Sequence, residues 1–223
     1  MIPVITIDGP SGAGKGTISQ MLAKHLTWHF LDSGAMYRLC GLACLKAGID
    51  LADESAVAAK ARDLDIDFRI TSKGLETWLD GEEVSQALRA EATGEAASRI
   101  AAINAVREAL KEQQRAFAKA PGLIADGRDM GTVIFPEAKL KIYLTASAEI
   151  RAERRHKQLQ EAGKTDNLAH ILQDIQLRDE RDMNRAIAPL KPAADAVIID
   201  SSQMDADAVF AQVLSLIQQQ QLA

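Results

Sequence analysis

An apolar run, Val4-Ile5-Thr6-Ile7, leads into Gly9-Pro10-Ser11-Gly12-Ala13-Gly14-Lys15-Gly16-Thr17, and a helical pattern follows. A strand that ends in a glycine-rich turn carrying a lysine and then opens a helix is the setting of a phosphate-binding loop. The glycines let consecutive backbone N–H groups face one anion, Lys15 adds a point charge, and the helix presents its positive end to the same spot. The hydroxyl of Thr17 can reach Mg²⁺ or a phosphate. In the common form of the loop Ser or Thr follows the lysine directly, whereas here Gly16 intervenes. A plain glycine-rich turn is the alternative, and it requires neither the strand before the loop nor the lysine within it.

The rest of the chain supports an α/β reading. Short apolar runs at 4–8, 28–31, 122–126, 139–144 and 196–200 alternate with helical patterns, which predicts a five-stranded parallel sheet flanked by helices. In such sheets ligands collect beyond the carboxyl ends of the strands, so Asp8-Gly9, Asp32-Ser33-Gly34, Asp126-Gly127-Arg128-Asp129 and Asp200-Ser201-Ser202 are the segments to watch. From Leu64 to Val84 the period is two, with turn residues at Ser72-Lys73-Gly74 and Asp80-Gly81, and this predicts a small antiparallel insert. A long helix from about 95 to 119 is expected next, stopped by Pro121-Gly122.

Composition narrows the function classes. The 223 residues carry 26 Lys plus Arg against 31 Asp plus Glu, a formal charge of −5, so no global field draws the chain to nucleic acid or an acidic membrane. Any anionic ligand must be held by a local cluster. Cys40 and Cys44, four apart on a helical stretch, read as small apolar packing residues. The four histidines show no metal-ligand spacing. No apolar run approaches the about 18 residues that span a bilayer, and the chain enters a strand almost at once. A cytoplasmic monomer is the expectation.

The segment 167–186 is expected to be one helix. Leu168, Ile171, Leu172 and Ile175 form an apolar stripe, and continuing it reaches Arg178, Asp179 and Asp182, with Arg181 and Arg185 beside them. Charges on an inward stripe are costly unless paired or given a charged ligand, so this half of the helix should line an anion-holding cleft. The alternative is a solvated helix end. Arg151, Arg154, Arg155 and Lys157 crowd another helical segment; alone they read as a solvated face, but beside a phosphate loop they can neutralise a transferring phosphoryl group.

Together GPSGAGKGT at 9–17, LDSGAMYR at 31–38, IADGRDMGTVIFP at 124–136 and RDERDMNRAIAPL at 178–190 resemble the bacterial cytidylate kinases, among the nucleoside monophosphate kinases. The GKGT variant of the loop points the same way, toward small-molecule kinases. The resemblance runs from the first strand to the last. It implies one P-loop kinase domain over 1–223, with a monophosphate-binding insert at about 34–105 containing the antiparallel strands, and a helical lid at about 151–166. It implies transfer of the γ-phosphoryl group of MgATP to CMP or dCMP. Gly9, Pro10, Ser11, Gly12, Ala13, Gly14, Lys15, Gly16 and Thr17 would hold the ATP phosphates, with Arg154 and Arg155 from the lid. Ser98, Arg107 and Asp129 would meet the base, Ser33, Arg178 and Asp182 the sugar side, and Arg38, Arg128 and Arg185 the CMP phosphate. Lys15, Arg128, Arg178 and Arg185 would act on the transferring group.

The chemistry of that reaction fits the residue types. A phosphate monoester has its second pKa near 6, so CMP arrives largely as a dianion whose oxygen is already a nucleophile, and no general base is needed. Cytosine offers an amino donor beside two acceptors, which a carboxylate and an arginine complement; uracil would set an acceptor against that carboxylate. Asp129 and Arg107 fit those roles, and UMP should be a poor substrate. Asp126, at a strand end, could order Mg²⁺ or be a buried structural acid. A nucleotide-switch GTPase would need an NKxD motif and an ABC-type ATPase an LSGGQ-like signature, and the sequence has neither.

Overall fold

The computed structural model describes residues 2–72, 74–161, 163 and 166–222. The chain forms two compact units, one of Pro3–Trp28 with Ile124–Ala223 and one of His29–Leu123.

The first unit begins with β1 (Val4–Asp8), buried along its whole length, and α1 (Lys15–Leu26). The second unit opens with β2 (His29–Asp32) and α2 (Ser33–Lys46), and the side chain of Asp32 caps α2 by accepting from the Ala35 N–H at 2.9 Å. It continues through α3 (Glu54–Arg62), the antiparallel strands β3 (Ile66–Thr71), β4 (Gly74–Leu79) and β5 (Glu82–Glu83), a 3₁₀ turn at Ala87–Arg89, α4 (Glu91–Ile100) and α5 (Asn104–Ala116). The first unit resumes with β6 (Leu123–Gly127), β7 (Leu140–Thr145), α6 (Ala148–Glu161), α7 (Leu168–Met183), β8 (Val197–Asp200) and α8 (Ala206–Gln219).

The larger sheet is five-stranded and parallel, in the order β2-β6-β1-β7-β8, and the smaller sheet pairs β3, β4 and β5. Register sets Asp8 beside Tyr143 and Thr145 beside Asp200, so the carboxyl ends of β1, β7 and β8 finish together. Strands β1 and β6 are buried on both faces, as expected of inner strands covered by helices. The antiparallel insert falls where the period of two placed it, with Ile66 opposite Leu79 and Phe68 opposite Thr77.

The expected long helix at 95–119 is two helices. Ile103 adopts an extended conformation, φ −82° and ψ 115°, and separates α4 from α5. Ala101 and Ala102 are good helix formers, so nothing local forces the break. It arises because α4 packs on α2 while α5 packs on α3, and the interruption lets Ile100, Ile103 and Val106 all be buried. The expected helix at 167–186 also ends early, at Met183. Leu168 at its start is exposed while Ile171 is buried, so the apolar stripe is covered in part only. Beyond the helix, Ala188 holds φ 49° before Pro189, and the Leu190 N–H returns to the Asp182 carbonyl at 2.9 Å, which curls the chain back and buries Leu190. Residues 162, 164 and 165 of the expected lid, and Lys73 of the expected turn, lie outside the described residues.

Candidate active site

The phosphate loop takes its shape from backbone constraints that its sequence anticipates. Gly9 has φ 149°, and a Cβ there would sit 1.9 Å from the carbonyl oxygen of Leu144, so the loop crosses β7 where only glycine fits. Gly14, at φ 95° and ψ 5°, is the left-handed residue from which α1 starts. Lys15 is the first helical residue; it is buried, and its Nζ donates to the Pro10 carbonyl at 3.0 Å, across the loop. Thr17 is exposed and Ser11 and Gly16 are half-buried. Asp126, buried at the end of β6, places Oδ2 3.5 Å from the position a Gly16 Cβ would take. Thr17 and Asp126 are hard oxygen donors near the start of α1, a donor chemistry that suits Mg²⁺.

Beside the loop, the buried carboxylate of Asp8 accepts from the Met130 and Gly131 N–H groups, each at 2.8 Å. Those residues open a single π-type turn, Met130–Ile134, closed by bonds from the Ile134 N–H to Asp129 O and the Phe135 N–H to Met130 O. Burial pushes the Asp8 carboxyl from 3.8 up to about 6; the two N–H bonds and Lys15 oppose the rise and Asp129 adds to it. Asp8 thus anchors the turn that follows Arg128 and Asp129. Its only sequence signal is its place as the last residue of an apolar strand, just before the loop. Asp129 itself is buried.

Helix α7 carries two arginine–carboxylate clusters one turn apart. Asp182 is 2% exposed and accepts from Arg128 Nε and from Arg185 Nη2. Asp179 accepts from both Nη atoms of Arg151, at 3.1 and 2.6 Å, and Arg151 also donates to the carbonyls of Ala146 at 2.9 Å and Ser11 at 3.1 Å. The expected ionic half of the helix is therefore paired and inward at Asp179 and Asp182. Arg178 and Arg181 point to the exposed side, and Arg185 lies just past the helix end. Of the arginine-rich segment, Arg151 is a buried cross-link. Arg154 donates to Ser201 Oγ and to the Ser201 and Met204 carbonyls, and Arg155 is exposed. Ser201 in turn donates to the loop carbonyl of Ala13 at 3.2 Å.

In the second unit Arg38, on α2, donates to the Leu88 carbonyl at 2.9 Å, and a Cβ on Gly94 would come 3.2 Å from its Nη1. Ser33 is buried at the start of α2 and Ser98 is exposed on α4. Arg107, half-buried on α5, lies over the Tyr37 ring with its guanidinium carbon 5.8 Å from the centroid. Cys40 and Cys44 are free and fully buried, and burial pushes the Cys40 thiol up to about 12, which suits packing rather than reactivity. Among the described residues no helix is long and apolar enough to cross a membrane.

A parallel sheet whose first strand runs into a GKGT phosphate loop, with an antiparallel insert after the third helix, defines a P-loop kinase fold. The cytidylate kinase family model matches residues 5–219, and the chain belongs to that family. A cytidylate kinase of Aeromonas hydrophila is 56% identical over 220 residues, covering 99% of this chain and 96% of the relative. A cytidylate kinase of Stutzerimonas stutzeri is 52% identical, covering 100% and 98%. Among solved structures, an uncharacterized protein from Eubacterium ventriosum aligns over 98% of this chain and 99% of that one with a TM-score of 0.55 at 9% identity, a likeness of fold alone.

Proposed function

We propose that this chain transfers the γ-phosphoryl group of ATP to CMP, with dCMP as a second acceptor, by direct in-line displacement without a covalent enzyme intermediate. The observation that carries the reading is its agreement with relatives named cytidylate kinase along essentially its whole length, phosphate loop included. The loop 9–17 holds the ATP phosphates, with Arg154 and Arg155 assigned to the same substrate. Mg²⁺ bound with ATP would neutralise phosphate charge, and Thr17 and Asp126 are the residues that would hold it. Ser98, Arg107 and Asp129 read the base, Ser33, Arg178 and Asp182 the sugar side, and Arg38, Arg128 and Arg185 the acceptor phosphate. Residues 34–105 serve as the acceptor-binding insert and 151–166 as the lid.

The CMP phosphate is already a nucleophile at neutral pH, so the work of the site is alignment of two polyanions and stabilisation of charge in flight. Asp182 neutralises one of its two arginines and leaves the trio at a net charge of +1, a cationic patch matched to a phosphate dianion. Turnover with MgATP and a panel of monophosphates tests the proposal: CMP and dCMP should be the best acceptors and UMP poor, and absence of product with every acceptor overturns it. Replacing Asp129 by Ala should weaken CMP far more than UMP, shrinking the ratio of their kcat/KM values. An unchanged ratio would remove Asp129 from base selection.

A further inference from the structure

Arg151 opens no path to solvent: it is 4% exposed, near the start of α6. Its guanidinium joins three pieces of chain. Nε is bonded to the Ala146 carbonyl after β7, Nη1 to the Ser11 carbonyl of the phosphate loop, and both Nη atoms to the Asp179 carboxylate on α7. The loop also packs on its stem, since a Cβ at Gly12 would be 3.2 Å from the Arg151 Cβ. On α7, Asp179 stands three residues before Asp182, on the same inward face, while Arg178 just before it lies on the exposed side. One bidentate ion pair therefore connects the loop assigned to ATP with the helix assigned to the sugar side of CMP.

We propose that the Arg151–Asp179 pair is a positioning device that sets the register between the phosphate loop and α7, bringing the acceptor oxygen into line with the γ-phosphorus. This rests on the reading of α7 as an acceptor-binding element. Arg151 touches neither substrate; it acts through Ser11 and Asp179. In-line transfer is steeply sensitive to such a register, and a shift of about 1 Å costs about 100-fold in rate. A pair that served stability alone would hold the fold without controlling transfer.

The discriminating variant is Asp179→Glu, which keeps the charge pair and lengthens it by one methylene. It is expected to melt close to the parent, to keep both KM values within about threefold, and to lose about 10- to 100-fold in kcat. ATP hydrolysed per CDP formed should rise, because water reaches a phosphoryl group whose acceptor is out of line. Arg151→Lys and Asp179→Asn should each lower kcat, and the double variant should be no slower than the slower single one. Parental kcat and coupling in Asp179→Glu would overturn the inference, as would multiplicative losses in the double variant. A parent that makes no CDP from CMP would instead defeat the proposed function, so the two failures are read in separate measurements.

Discussion

Two carboxylates three residues apart on α7 have met opposite fates. Asp179 is answered by one arginine, 5% exposed in its side chain and bonded also to two main-chain carbonyls; that cluster is neutral and closed. Asp182 is answered by two, Arg128 and Arg185, whose side chains are 17% and 32% exposed; that cluster carries an excess positive charge and reaches solvent. The difference teaches what decides whether a buried ion pair keeps charge to spare. A one-to-one pair with its hydrogen bonds satisfied has little left to offer a ligand, while a carboxylate shared between two guanidinium groups aligns both and cancels only half of their charge.

The largest expected effect comes from removing the shared carboxylate. Asp182→Ala leaves two arginines facing each other in a partly buried site and should cost about 3–5 kcal/mol of stability along with most of the activity. Urea unfolding of parent and variant checks it, and a loss under 1 kcal/mol would mean that water already screens the cluster.

Asp8 sharpens the comparison, because this buried carboxylate is answered chiefly by N–H dipoles. With its carboxyl raised from 3.8 to about 6, the folded chain keeps a proton between those values that the unfolded chain has released. Its contribution to stability is therefore greatest at the acid end and falls as pH rises through that window, by roughly 3 kcal/mol in all, and is level above it. Asp8→Asn removes the titration, so its stability should fall less steeply with pH between about 4 and 6. Identical slopes in unfolding free energy against pH for parent and variant would contradict the assignment.

Arg185→Met tests the open cluster alone. Asp182 keeps Arg128 as a partner, so stability should change little, whereas KM for CMP should rise about tenfold or more with KM for ATP nearly constant. Parental kinetics would move the acceptor phosphate away from this cluster. The smallest effect is expected at Ala188, in the connection that follows Arg185. A non-glycine residue at φ 49° is strained, and Ala188→Gly should raise the unfolding free energy by up to about 1 kcal/mol. An unchanged or lower denaturation midpoint would show that the turn is not strained.

Much of this architecture was legible before any coordinates. The glycines of 9–17 announce backbone conformations that other residues cannot adopt. Apolar runs announce covered strands, and the period of two at 66–79 announces an antiparallel insert. These are local signals, set by steric limits on φ and ψ and by side-chain periodicity. Less legible were the element ends. Ala101-Ala102 reads as helix interior, yet the chain breaks beside it because its two neighbours on either side need different packing partners. The stop of α7 at Met183 depends on Ala188 and Leu190 turning back onto it.

What the sequence by itself determined is the fold class, the phosphate loop, the family, and the crowding of arginines and aspartates in 151–157 and 178–185. Which arginine meets which aspartate was decided by the tertiary structure alone. Arg151 lies 28 residues from Asp179 and Arg128 lies 54 from Asp182. Asp8 is 122 residues from the N–H group of Met130 that it accepts from. Arginines along a helix are chemically alike, and burial, competing carbonyls and the distance to a carboxylate are properties of the folded neighbourhood. They set one apart as a closed cross-link and leave another partly exposed.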